Sequence, residues 1–319
     1  PLRGRWLVEL HKQGGRLRRR QDLPSEAFWT AAELRDAATK LGDDFGVLFV
    51  ALSYRWLSRS HPDPDGFHLG LVASVAELYL NLAGRGDPSQ LTQAFQSRGL
   101  GEADFALFWD FASLHQAPRT DPETACFKQG LKLSNVWYGH SRSVVWMQSM
   151  LPDGFQGATY DLSGWCFVEA AISAAIKPGF QRLDLALRTK QAMETAYGPE
   201  EPSGFPEYKL ACVCARKRLP PPSPEMVAAL LQTEKKFTNS ADIGQVAALY
   251  AAFFAKVTSV RSLDFRGLGW EDAEAIALAA VLPRFGALTS LDVSENCLGQ
   301  NAAKALAPGT IDGDIKMVD

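Results

Sequence analysis

Val47–Ser53 reads VLFVALS, a short, continuous apolar run of β-prone residues closed by a serine. A run of this length predicts a strand buried on both faces, the position of a parallel strand lying under helices. Two further runs have the same character: Phe105–Phe111 (FALFWDF) and Ser143–Gln148 (SVVWMQ). Helical patterns separate them. Ser25–Leu41 has Ser25 as its N-cap, Leu69–Leu82 carries Leu71, Val75, Leu78 and Leu82 on one stripe, a third helix lies around Phe127–Tyr138, and Gly164–Ile176 is a fourth. Strands alternating with helices from about residue 45 to 180 predict an α/β domain with a doubly wound parallel sheet.

The chain has 319 residues, long enough for two domains, with a globular balance of 46% hydrophobic and 22% charged residues. A net charge of -3 does not point to nucleic acid, and no apolar run approaches the roughly 18 residues of a membrane span. Cys126, Cys166, Cys212, Cys214 and Cys297 are odd in number and irregular in spacing, which suits reduced thiols in a cytosolic or nuclear compartment, and a cytoplasmic setting is expected. Cys212 and Cys214 lack a second ligand pair, so no metal site is expected there. Residues 1–22 are basic and read as a tail, or as a helix held by Trp6, Leu7 and Leu10. The α/β domain is expected over 23–190. A proline-rich and helical connector follows over 191–256, with an edge strand at 208–215 and a helical break near Asn239. The chain begins at Pro1 without methionine or an apolar leader, and is expected to be part of a longer protein.

Residues 257–319 carry a repeat. Leu288, Leu291, Val293, Asn296 and Leu298 fill all the fixed positions of L-x-x-L-x-L-x-x-N-x-L, the leucine-rich-repeat pattern. Val260, Leu263 and Phe265 fill the first three positions of an earlier copy, with Leu268 in place of the asparagine and Trp270 at the last apolar position. Ala277-Leu278 recurs as Ala305-Leu306. Ile315-Lys-Met-Val318-Asp319 reads as a third start. Long repeats with a full helix resemble the ribonuclease-inhibitor type. That resemblance implies a short α/β solenoid presenting a concave face to a protein partner.

Val47–Arg55, ending in Ser53-Tyr54-Arg55, resembles the first strand and loop of Toll/interleukin-1-receptor (TIR) domains. Tyr160–Glu169 (YDLSGWCFVE) resembles a later TIR stretch with its Trp-Cys and glutamate. The landmarks also resemble fungal heterokaryon-incompatibility (HET) domains. Ala51-Leu-Ser-Tyr-Arg-Trp56 stands against their A-L-S-Y-x-W, Phe108–Gln116 against a strand end placing Asp110 and Gln116, and Trp165-x-x-x-Glu169 against W-x-x-Q-E. The chain departs from these patterns at Trp56-Leu-Ser-Arg59, where TIR domains are Gly- and acid-rich, at Val168 and at Ala170.

The resemblance implies a flavodoxin-like sheet, self-assembly of the α/β domain into homo-oligomers and, as an alternative activity, cleavage of NAD as substrate, with no resident cofactor. Glu169 would then be the catalytic carboxylate, stabilising an oxocarbenium-like state. Ser53, Tyr54, Arg55, Trp56, Asp110 and Trp165 would bind the nucleotide, Arg55 on the pyrophosphate and Trp165 as an apolar wall one helical turn from Glu169. An unrelated doubly wound domain with no nucleotide site is the third reading. His61, Asp63, Asp65 and His68 fit a proline-stiffened turn better than a metal loop, since the calcium-loop spacing fails. The expected function is recognition and signalling: self-assembly through the α/β domain and partner binding through the repeats.

Overall fold

The VLFVALS run forms the middle of a five-stranded sheet. Its strands are Leu2–Arg3 (β1), Phe49–Tyr54 (β2), Ala106–Phe108 (β3), Val144–Gln148 (β4) and Arg182–Asp184 (β5). They lie in the order β1-β3-β2-β4-β5, all parallel except β1, which pairs antiparallel with β3. The computed structural model describes residues 1–84, 86–188, 192, 205, 210, 213–307 and 314–316. The chain divides into two compact units, Pro1–Tyr160 with Pro178–Ala215, and Asp161–Lys177 with Arg216–Asp319.

In the first unit, helices follow their caps. Gly4–Lys12 (α1) leads directly out of β1. Ala31–Leu41 (α2) is capped by Thr30, whose hydroxyl accepts from the Glu33 N–H while the Glu33 carboxylate accepts from the Thr30 N–H. The expected cap, Ser25, instead begins a separate turn of 3₁₀ helix, Ser25–Ala27. Phe67–Tyr79 (α3) and Gln90–Ser97 (α4) lie between β2 and β3. The FALFWDF run is a strand only to Phe108. Asp110–Ser113 (α5) then turns helical, with the backbone N–H of Phe111 bonded to the Asp110 carboxylate. Asp121–Gly139 (α6) starts earlier than its apolar pattern, at a second capping box formed by Thr120 and Glu123.

Both faces of β2 are covered. Val50, Leu52 and Tyr54 join Leu107, Trp109 and Trp146 in a core that also takes in Leu7 and Val8 of α1 and Leu69, Val72 and Tyr79 of α3. On α6, Trp137 stacks on Phe108 at 5.2 Å and meets Phe49 edge-on, and the Tyr138 hydroxyl donates to the Leu52 carbonyl at 3.0 Å.

Of the basic segment 1–22, Leu2–Lys12 takes the helical alternative, as an edge strand and a core helix. Leu2 and Leu7 are completely buried, and the Gly4 N–H donates to the Phe105 carbonyl at 2.9 Å. Its cations are matched by acids further along the chain: Arg3 with Glu33 and Asp104, Arg5 with Glu102, and Lys12 with Glu77.

The second unit begins with Gly164–Ile176 (α7), the predicted span, but α7 packs against Asp242–Val257 (α9) and not within the first unit as the expected 23–190 boundary had it. Pro224–Thr233 (α8) and α9 flank the predicted break near Asn239. The Phe237 ring lies against the Cα of Gly164, where a side chain would collide with it. Three parallel strands follow, Ser262–Asp264 (β6), Ser290–Asp292 (β7) and Asp314–Lys316 (β8), with Asp272–Val281 (α10) and Gln300–Ala305 (α11) after the first two. Leu263 stands opposite Leu291. In the third strand Ile315, not Val318, stands opposite Leu291, so the register of that copy differs from the sequence expectation by three residues. The expected edge strand 208–215 lies mostly outside the described residues; from it, Ala215 makes a single antiparallel bridge to Leu183. Cys212 lies outside them too.

If residues 1–12 belong to the core, Leu7→Ala should lower the stability of the first unit by about 2–5 kcal/mol, whereas Arg18→Ala, at an exposed position, should change it by less than about 0.5 kcal/mol. Urea unfolding of the two variants checks this. Equal, small effects would mean that the segment is peripheral.

Candidate functional site

The connection from β2 runs to β3 on one side, and the chain then crosses to β4 on the other side of β2. Winding reverses between β2 and β4, and open α/β sheets take their ligands beyond the carboxyl ends of the strands at such a point. Ser53, Tyr54, Arg55 and Trp56 stand at the end of β2, Gln148 and Ser149 at the end of β4, and Asp110 just past β3.

The polar groups of this edge hold one another. Tyr54 is buried, and its hydroxyl donates to Oδ1 of Asp110 at 2.7 Å. The Trp56 indole donates to Oδ2 at 3.1 Å and the Phe111 N–H to Oδ1 at 2.6 Å. Burial pushes the Asp110 carboxyl above its ordinary range, against the pull of these three donors. The Tyr54 phenol is raised well above its usual value, by burial first and by the neighbouring Asp110 second. Ser53 Oγ lies 2.6 Å from the Tyr160 hydroxyl, and Arg55 Nε donates to the Ala158 carbonyl at 3.3 Å. Ser149 Oγ donates to Asp184 Oδ1 at 2.6 Å, tying β4 to β5.

Behind this edge sits His68, fully buried near the start of α3. Asp63, also buried, accepts from the backbone N–H groups of His68 and Leu69 at 2.9 and 2.8 Å, and so caps the helix. The His68 ring places Nε2 2.9 Å from the Arg55 carbonyl and Nδ1 3.2 Å from Gln148 Nε2. A carbonyl only accepts, so Nε2 carries the proton and Nδ1 accepts from Gln148, which is the neutral tautomer. Burial lowers the His68 pKa, against the opposing effects of Asp63 and the Arg55 carbonyl. Gln148 Nε2 also donates to the Met150 carbonyl at 3.1 Å, while its Oε1 is buried and has no hydrogen-bond partner among the described residues.

Of the predicted binding residues, the structure thus joins Tyr54, Trp56 and Asp110 through one carboxylate, and sets Ser53 and Arg55 against the loop that carries Ala158 and Tyr160. Gln116 is occupied by its own loop, donating to the Leu114 carbonyl at 2.9 Å and exchanging bonds with Gln21. His61 accepts from the Asp63 N–H, so the His61–His68 stretch is a turn and cap, as its prolines suggested. Sequence reading missed Gln148 and Asp184, and gave His68 no role at this edge. The signal for His68 was present in Asp63 standing just ahead of an apolar helix, at capping distance.

Trp165 and Glu169 belong to the second unit. The Trp165 indole donates to Asp242 Oδ2 at 3.1 Å, pinning α7 to the start of α9. Glu169 is half-buried one turn further along. Beyond α7, Arg218 is nearly buried and donates to the Ala174 carbonyl at 3.0 Å at the helix's last turn. Its guanidinium lies 5.0 Å from the centre of the Phe265 ring, and burial lowers its pKa to about 10. The Trp270 indole in turn donates to the Arg218 carbonyl at 2.6 Å.

In the strand–helix region, Asn296 serves the turn that precedes its own. Its Oδ1 accepts from the N–H groups of Leu268 and Trp270 at 2.9 and 3.0 Å, and its Nδ2 donates to the Phe265 and Val293 carbonyls at 2.8 and 2.9 Å. Asp264 and Asp292 occupy equivalent positions and each accepts from the backbone N–H two residues on, at 3.0 Å in both cases. Asp272 accepts from the Gly299 and Ala302 N–H groups at 2.7 and 3.1 Å, capping the next helix. Ser262 and Asp264 are exposed, and Ser290 and Asp292 half-buried, around the buried Leu263 and Leu291.

Comparison with protein-family models, with curated proteins and with solved structures found no significant match to this chain. Among the described residues no three His, Cys, Asp or Glu side chains gather as metal ligands would, and no helix is long and apolar enough to cross a membrane.

Two outcomes follow from this geometry. Asp110→Ala removes the carboxylate that accepts from the Tyr54 hydroxyl and the Trp56 indole and should destabilise the first unit by about 1–3 kcal/mol, while Tyr54→Phe should cost about 0.5–1.5 kcal/mol. Denaturation of both variants checks the order. The second concerns pH. Because the folded-state pKa of His68 is depressed, the unfolded chain takes up the proton first. The stability from the neutral ring is complete above the unfolded histidine value of 6.5 and is lost as pH falls below it. Proton NMR should find this imidazole neutral where exposed histidines are charged, and His68→Gln should flatten the acid loss of stability. A ring that titrates with the exposed histidines would overturn the assignment.

Proposed function

We propose that this is a recognition and signalling protein with two working parts. The α/β unit, TIR/HET-like with a flavodoxin-like strand order, assembles with copies of itself, and the C-terminal strand–helix units form the start of a leucine-rich-repeat solenoid that binds a protein partner. The observation that carries this reading is Asn296. Its side chain satisfies the backbone of the preceding turn at both donor and acceptor, the task the repeat pattern reserves for asparagine. The matched bonds of Asp264 and Asp292 support the same reading. Each unit buries its leucines only against its neighbours, so the polar residues around Leu263 and Leu291 form the face offered to a partner. A cytoplasmic setting suits four described cysteines that are free thiols, with Cys166 and Cys214 buried. Neither nucleic acid nor a membrane is invoked as partner.

A second reading is supported by the strand reversal between β2 and β4 with Arg55 at its edge. In it the protein cleaves NAD: the bond from the ribose carbon to nicotinamide breaks, nicotinamide leaves with the bonding pair, water adds to that carbon and gives up a proton to solvent, and Glu169 stabilises the cationic state between. The two readings are tested together. Light scattering over a range of concentrations should show the chain self-associating. Nicotinamide release, measured dilute and then under artificial clustering with Glu169→Gln as control, decides whether assembly switches on catalysis. Release abolished by the substitution supports the hydrolase. No release from an associated sample leaves an assembly module. A chain that stays monomeric at every concentration sinks the assembly reading.

A further inference from the structure

Three groups meet at the carboxyl end of β4: the buried His68 ring, the buried Gln148 amide, and the carbonyl of Met150 in the segment that follows the strand. While the ring is neutral, the Gln148 nitrogen serves both neighbours. It donates one N–H to Nδ1 of His68 at 3.2 Å and the other to the Met150 carbonyl at 3.1 Å. The oxygen of the same amide is buried with no hydrogen-bond partner among the described residues. Buried polar atoms are nearly always paired, and one that is not calls for a reason.

We propose that His68 and Gln148 form an acid-operated switch, which holds the segment after β4 while the ring is neutral and releases it when the ring is charged. Nε2 already carries a proton for the Arg55 carbonyl, so a second proton, taken from solvent, goes to Nδ1. Nδ1–H then faces the Gln148 N–H, donor against donor. A half-turn of the amide about its last side-chain bond removes the conflict, because it brings the unpaired Oε1 onto Nδ1–H. The same half-turn sets Oε1 against the Met150 carbonyl, acceptor against acceptor, and carries the nitrogen away from it. Once the ring is charged, the two neighbours make opposite demands that one amide cannot meet, and Met150 loses its donor.

The surroundings of the ring bear on this in a defined way. Asp63 faces it from the turn before α3, and its charge favours the second proton, while burial opposes it. From β2 come the Arg55 carbonyl and Tyr54, edge-on at 5.2 Å with its hydroxyl on Asp110. The Arg55 guanidinium reaches to the Ala158 carbonyl. From α3 itself comes Phe67, edge-on at 5.5 Å, and from β4 comes Gln148, neither of them charged. The switch depends on neither the assembly nor the hydrolase reading. It places a pH-dependent segment at the strand edge where open α/β sheets take their ligands.

A heteronuclear NMR titration of the whole chain tests this. As pH falls, Nδ1 of His68 should change from an accepting to a protonated nitrogen. The Gln148 side-chain amide should shift with the same midpoint, and so should the backbone amide of Leu151, which shares a peptide plane with the Met150 carbonyl. Gln148→Glu offers Nδ1–H a charged acceptor and should raise the His68 midpoint by about one to three pH units, with the Leu151 signal following it. Gln148→Leu offers neither donor nor acceptor, so His68 should titrate while Leu151 no longer responds. Thermal melts check that both variants fold, and the unsubstituted chain decides the matter if they do not. A Gln148 or Leu151 signal that stays fixed while His68 titrates overturns the switch, as does a ring that remains neutral until the unit unfolds.

Discussion

Strand β2 is buried on both faces, and its last two side chains, Ser53 and Tyr54, are polar. A buried hydroxyl without a partner costs more than most single contacts contribute, so these two groups dictate what surrounds them. Tyr54 requires an acceptor and finds Asp110, which then gathers Trp56 and the Phe111 amide and fixes where β3 ends. Ser53 draws in Tyr160 from beyond β4. The Arg55 carbonyl is met by His68, which fixes its own tautomer and engages Gln148. The loops at the carboxyl edge are thus arranged before any ligand arrives. The residues that resemble a family signature are the ones this edge needs for its own hydrogen bonds. A resemblance at these positions therefore speaks to the architecture as strongly as to the chemistry.

The second unit solves a similar problem with different groups. Its strands span three residues each, and so leave turns whose amides no ladder reaches. Asn296 and Asp272 reach across to the neighbouring turn or helix and satisfy them. Ahead of β6, Arg218 sets its guanidinium on the last turn of α7 and against Phe265, and its carbonyl on the Trp270 indole. A guanidinium tolerates such burial because its planar donors can reach several carbonyls while its face rests on an aromatic ring.

Much of this was legible in the chain. The apolar runs of β2 and β4 announced themselves because central strands carry no polar alternation, and α7 was bounded at both ends. Strands β1 and β5, of two and three residues, are too short for any periodicity, and β1 is hidden in a basic run whose arginines pair with Glu33, Glu102 and Asp104. The Thr30–Glu33 and Thr120–Glu123 boxes were readable, and mark helix starts that apolar spacing alone misplaced. The site was legible only by residue type. Nothing local tells Trp165 that its acceptor is Asp242, or Gln148 that its neighbour is His68, because both pairs are brought together by chain crossings and not by spacing.

The course of the chain between β4 and β5 has a consequence for stability. Neighbouring parallel strands need a crossover, and the helix in this one is α7. Yet α7 belongs by its contacts to the second unit, where Trp165 bonds to Asp242 and Arg218 closes its last turn. A cut after residue 215 would leave α7, whose Cys166, Val168 and Ile172 are buried in the intact chain, without α9, against which it packs. That apolar face would have to find cover or unfold, and β5, reached only through α7, would lose its anchored lead-in. The helix bearing Trp165 and Glu169 is thus continuous in the chain with β5 while its own contacts belong to the second unit.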